Sequence, residues 1–125
     1  SYLLQRMEAY EGVAILATNL RRNMDDAFVR RLHVVIEFPL PDAADRRRIW
    51  DAVWPEATPR APDLDLDVLA RRFELAGGNI RNVVVAAAFM AAAEGTAVGM
   101  AHLLRAVRRE YQKMGKIVAT GDFPA

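Results

Sequence analysis

The sequence predicts a bipartite, mostly α chain, in which a short α/β piece over residues 1–40 precedes an all-α four-helix unit over 42–114. Three observations predict it. Two short apolar runs rich in β-branched residues, 13–18 and 34–38, suit strands buried on both faces of a parallel sheet. After Pro39-Leu40-Pro41-Asp42 the apolar spacing changes to a helical period and keeps it. The helical part is punctuated three times, at Pro55, around Gly77-Gly78 and between Gly95 and Gly99.

Each element follows from local signals. Residues 1–10 read as a helix with Leu3, Leu4 and Met7 on one face, stopped at Glu11-Gly12. The run Val13-Ala14-Ile15-Leu16-Ala17 ends on Thr18-Asn19. Residues 24–32 form a short helix with Asp25 near its start and Arg30-Arg31 at its end, before the run 34–38. Asp42 is the N-cap of the first helix of the four-helix unit, with Asp45 placed as its capping-box partner. Ile49, Trp50, Val53 and Trp54 line that helix's apolar face, and Pro55 ends it. Residues 58–62 read as a linker. Asp65 or Asp67 caps a second helix with Val68, Leu69 and Phe73 inward. Gly77-Gly78-Asn79 opens a third, 80–94, apolar nearly all round and therefore central. The fourth, 100–114, carries Leu103, Leu104, Val107, Tyr111 and Met114 on one stripe. Residues 115–125 have no periodicity and read as a flexible tail.

Composition narrows the function classes. The 125 residues are 53% hydrophobic, enough to bury a core and far from a disordered composition. Seventeen basic and sixteen acidic residues leave a net charge of +1, which gives no reason to expect nucleic acid or a membrane as partner. The basic clusters at 46–48, 71–72 and 105–109 read as solvated helix faces and subunit contacts. Cysteine is absent and the two histidines, His33 and His102, lack ligand spacing, so thiolate and zinc chemistry are not expected. With no signal peptide and no apolar run long enough to span a bilayer, a cytoplasmic protein is expected.

Taken together, Ala17-Thr18-Asn19, the segment 25–31, Phe38-Pro39-Leu40-Pro41-Asp42, a helical unit and Gly78-Asn79-Ile80-Arg81 resemble the AAA+ ATPase family in order and spacing. The resemblance covers residues 1–112 and is closest to bacterial AAA-type members with Ala-Thr-Asn at sensor 1. It implies that 1–40 is the C-terminal part of the α/β ATPase core and 42–114 the helical lid, in an incomplete P-loop module. It implies further that Asn19 is sensor 1, holding the attacking water or a phosphate oxygen. Arg30 and Arg31 then fall where the family carries arginine fingers, whose guanidinium stabilises charge in a neighbour's site. The Pro-Gly-Arg turn of many relatives is missing, which leaves open which of the two acts. Arg81 falls at sensor 2, beside Gly77, Gly78 and Asn79 as nucleotide-contacting positions, the glycines permitting close approach to the adenine. Ile49 and Val53 are bundle core or an apolar wall for that adenine. Each residue also has a plainer structural use: a polar strand cap for Asn19, a favourable helix-end charge for the arginine pair, a surface charge for Arg81.

No Gly-x-x-x-x-Gly-Lys-Ser/Thr and no Walker B acidic pair occurs in the sequence. The expectation is therefore ATP and Mg²⁺ in the full-length protein, none bound to this fragment, and no turnover by it alone. The implied function is coupling of ATP hydrolysis to remodelling of a protein or macromolecular client by a homo-oligomeric ring, a hexamer. The alternatives are a non-catalytic helical interaction module and an initiator- or clamp-loader-like relative acting on DNA.

Overall fold

The computed structural model describes residues 2–19 and 24–116. Six helices are found among them: α1 (Tyr2–Ala9), α2 (Asp26–Val29), α3 (Ala43–Ala52), α4 (Leu66–Arg72), α5 (Gly77–Glu94) and α6 (Met100–Lys113). The chain divides into two compact units, Ser1–Phe38 and Pro39–Ala125.

The first unit holds α1 and α2. The Asp25 carboxylate accepts the Ala27 N–H at 3.1 Å and so starts α2. An ion pair between Arg31 and Glu8, 2.8 Å, ties the end of α2 to α1. The expected strands at 13–18 and 34–38 require correction, because no strand forms among the described residues. Val13, Ile15, Val34 and Ile36 all stand largely exposed. The reason is physical: β-branched residues favour a pleated surface, but a strand exists only when another chain segment completes its ladder. The α/β piece is thus not formed here.

The second unit is all helical. The Asp42 carboxylate accepts the Asp45 N–H at 2.8 Å and caps α3, and Asp65 accepts the Val68 N–H at 3.0 Å and caps α4. α5 packs on both α6 and α3, and α3 packs on α4. Trp50, Leu69, Phe73, Ile80, Val83, Val84, Leu103 and Val107 fill the centre between them. Phe73 meets Tyr111 edge to face, with ring centroids 5.8 Å apart. Gly95, at φ 69°, closes α5 in the left-handed region that glycine enters without strain.

The segment 58–62 is pinned rather than free. Arg60 forms a parallel bridge with Val98, through the Val98 N–H to Pro59 and the Ala61 N–H to Val98, both 2.9 Å. The Arg60 guanidinium also lies over the Trp54 ring at 4.6 Å. One basic cluster differs from its expected solvated face. Arg46 is buried, donating to the Ala70 carbonyl at 2.8 Å and the Pro41 carbonyl at 2.7 Å. It satisfies the Ala70 carbonyl in the last turn of α4, which the helix itself leaves without a partner, and the Pro41 carbonyl ahead of α3.

Candidate functional site

The start of α5 gathers four of the sequence-predicted site residues. Gly77 and Gly78 lie inside its first turn, so the helix begins earlier than residue 80. Neither glycine has a positive φ. A Cβ on Gly78 would meet nothing within 4 Å, and one on Gly77 would meet only Ile49 Cδ1 at 3.7 Å. The folded chain therefore has room for alanine at both positions, although each helical glycine costs up to about 1 kcal/mol relative to alanine. Arg81 follows on the same face, exposed and without an ion pair among the described residues. With Asn82, Val85, Ala86 and Phe89 it lines a shallow groove along α5. Ile49 and Val53 are half-buried and pack on the core, with Ile49 reaching toward Gly77.

Asn79 faces the other way. Its Oδ1 accepts the Ala76 N–H at 3.3 Å, closing the first turn, and its Nδ2 donates to Glu110 Oε1 at 2.9 Å. Asn82 Nδ2 donates to the same oxygen at 3.2 Å, and Lys113 pairs with it at 2.9 Å. Burial pushes the Glu110 carboxyl up. The hydrogen bonds from Asn79, Lys113 and Asn82, with the Lys113 charge, outweigh that and hold it below its ordinary range. Sequence reasoning missed this group. The signal was present, since residue 110 falls on the stripe of Leu103, Val107 and Met114, and a carboxylate on an apolar stripe needs partners.

A second polar cluster ties the two ends of the α5–α6 connection. The Gly99 N–H donates to His102 Nδ1 at 3.0 Å, which leaves the proton on Nε2 to donate to Glu94 at 2.8 Å. Arg105 holds the other Glu94 oxygen at 2.9 Å. The hydrogen bonds from His102 and then Arg105 hold the Glu94 carboxyl below its ordinary range. His102 is thus a helix cap, and no group of three metal-ligating side chains is found among the described residues.

The remaining predicted residues belong to the other unit. Asn19 is exposed and ends the first described stretch. Arg30 and Arg31 sit together just after α2, where Arg31 is paired with Glu8 and Arg30 has no ion pair among the described residues. The tail expected over 115–125 lies mostly outside the described residues; Gly115 and Lys116 close α6, with the Lys116 N–H donating to the Tyr111 carbonyl at 3.0 Å. No helix among the described residues is long and apolar enough to cross a membrane.

Residues 42–113 match the family model described as contractile injection system ATPase helical domain. The match spans α3 to α6. An ATP-dependent zinc metalloprotease FtsH 3 of Sphaerobacter thermophilus is 40% identical over 86 residues, covering 66% of this chain and 17% of that protein. The chain therefore spans about a sixth of the length of the curated relative it matches. Both likenesses are to AAA+ ATPase-related proteins.

Proposed function

We propose, because this chain belongs to the contractile injection system ATPase helical domain family, that α3 to α6 form the lid of an AAA+ ATPase whose α5 start contacts bound ATP. The observation that carries this reading is the pair Gly77-Gly78 beside Arg81. Two helical glycines with room for a side chain give up stability that the fold does not require them to give up. A ligand approaching the backbone accounts for that loss, and an arginine one turn on, without an ion pair among the described residues, supplies a cation for its phosphates. Ile49 beside Gly77 offers the apolar contact that an adenine would take.

In this reading the full-length protein binds ATP and Mg²⁺ and couples hydrolysis to remodelling of a protein or macromolecular client as a cytoplasmic homo-oligomeric ring of six subunits. The P-loop hydroxyl and the acidic metal ligand come from elsewhere in that protein, since the sequence here holds neither motif. Segments 13–18 and 34–38 are strands of the completed core, where further strands would cover the apolar side chains they expose. Asn19 holds the attacking water or a phosphate oxygen. Arg30 is the better candidate for the arginine finger, because Arg31 is already paired with Glu8. The family and the relative, a contractile injection system ATPase and a zinc metalloprotease, define two settings for such an ATPase. The family match covers the whole lid and favours the first.

ATP turnover by the full-length protein tests the reading. Arg30→Ala is expected to lower kcat on the order of 10³-fold, as loss of a phosphoryl-stabilising arginine does. Mixing it with P-loop-dead subunits should restore part of the activity, because the finger acts in a neighbour's site. Gly78→Ala should raise the melting temperature while raising KM for ATP. Unchanged kinetics in both Arg81→Ala and Gly78→Ala would overturn the nucleotide assignment.

A further inference from the structure

Apolar packing alone orients α5 poorly. Its 18 residues carry apolar side chains around most of the circumference, and hydrophobic burial has no direction of its own. α6 differs, with one apolar stripe and a charged back. What ties α5 to α6 at a defined rotation is polar. Asn79 and Asn82 stand one turn apart on the face toward α6, and both donate to Glu110 Oε1. The Glu110 side chain is 8% exposed and anchored in turn by Lys113. Arg81 comes off the helix about 200° round from Asn79, away from α6.

We propose that Glu110, through Asn79 and Asn82, sets the direction in which Arg81 projects, and is thereby a positioning residue for the nucleotide contact. The inference rests on the reading of Arg81 given above. Stability is a poor explanation for the group. A buried ionic cluster replaced by apolar residues of similar volume is often neutral or stabilising, whereas setting register is the best-attested use of such polar groups. Leu103, Val107 and Met114 show that this stripe otherwise takes apolar side chains. The contact also closes on the turn that matters, because Asn79 Oδ1 holds the Ala76 N–H at the entry to α5.

The experiment measures ATP turnover and fluorescent ATP-analogue binding in the full-length protein for Glu110→Leu, Glu110→Gln, Asn82→Ala and Arg81→Ala, and for the first three combined with Arg81→Ala. Glu110→Leu is expected to remain folded and to lose turnover on the order of tenfold or more, as small misplacements of contacting groups do. Glu110→Gln keeps a carbonyl acceptor for both amides and should recover most of that loss. Asn82→Ala leaves the core intact and should lose part of the activity, which keeps the test decisive if Glu110→Leu fails to fold. On the Arg81→Ala background none of the three should cost anything more. Equal fold-losses on both backgrounds would overturn the proposal, as would unchanged turnover in Glu110→Leu or in Asn82→Ala. If Arg81→Ala alone leaves turnover and analogue binding unchanged, Arg81 makes no nucleotide contact and this inference falls with that assignment. If Arg81→Ala lowers turnover and the Glu110 and Asn82 variants do not, only this inference falls.

Discussion

The two units of this chain use similar residues to opposite effect. Val34-Val35-Ile36 in the first and Val83-Val84 in the second are both runs of β-branched residues. Val83 and Val84 are at most 1% exposed, whereas Val34 and Ile36 are more than 70% exposed. The difference lies in how each secondary structure is completed. A helix satisfies its own backbone and needs only an apolar partner face, which four helices of one short segment supply to one another. A strand leaves its backbone groups to neighbouring strands, and without them the apolar residues of 34–38 stay on the surface. Local sequence builds the helical unit; a β-sheet needs residues far apart in the chain.

That comparison can be broken most directly in the second unit's core. Trp50→Ala is expected to cost about 3–5 kcal/mol and to abolish or sharply lower the cooperative unfolding transition seen by circular dichroism in urea. Arg46→Ala comes next, at about 2–3 kcal/mol, because it strands the Ala70 and Pro41 carbonyls that the guanidinium satisfies. Asp42→Ala should cost about 1 kcal/mol by removing the cap of α3, read by the same denaturation.

A smaller effect appears only in acid. The Glu110 carboxyl lies below its ordinary value of 4.5 in the folded chain. Its contribution is therefore fully present above pH 4.5 and lost as pH falls through the lower folded value. Melting temperature should drop more steeply below pH 4.5 in the parent than in Glu110→Gln. The smallest effect belongs to the first unit, where Ile36→Ser should change stability by less than about 0.5 kcal/mol. A loss comparable to that of Trp50→Ala would show that residues 34–38 are buried in solution and would erase the contrast between the units.

Much of the helical unit was legible in the chain. Asp42 announced its cap and the pair Asp65 and Asp67 offered the next, Pro55 and Gly95 marked breaks, and the spacing of Leu103, Val107 and Met114 an inward stripe, because each is a local relation among residues within a turn or two. The glycines were read as the opening of α5 but lie within it, since glycine without a positive φ is as compatible with a first turn as with a loop. The place of Glu110 on an apolar stripe was legible, but its partners and the burial of Arg46 were not. Their burial depends on acceptors and donors contributed by other helices, Ala70 on α4 for Arg46 and Asn79 and Asn82 on α5 for Glu110.

By itself the sequence determined the helices of the second unit, their order, their apolar faces and the presence of Arg81 one turn beyond a glycine pair. These follow from spacing and capping, which act over a few residues. Only the tertiary structure decided that Gly77 and Gly78 have room they do not use, that Arg31 is paired while Arg30 has no ion pair among the described residues, and that a buried carboxylate grips α5 opposite Arg81. Those are relations between elements, and partners as many as 31 residues apart are set by packing in three dimensions rather than by any local period.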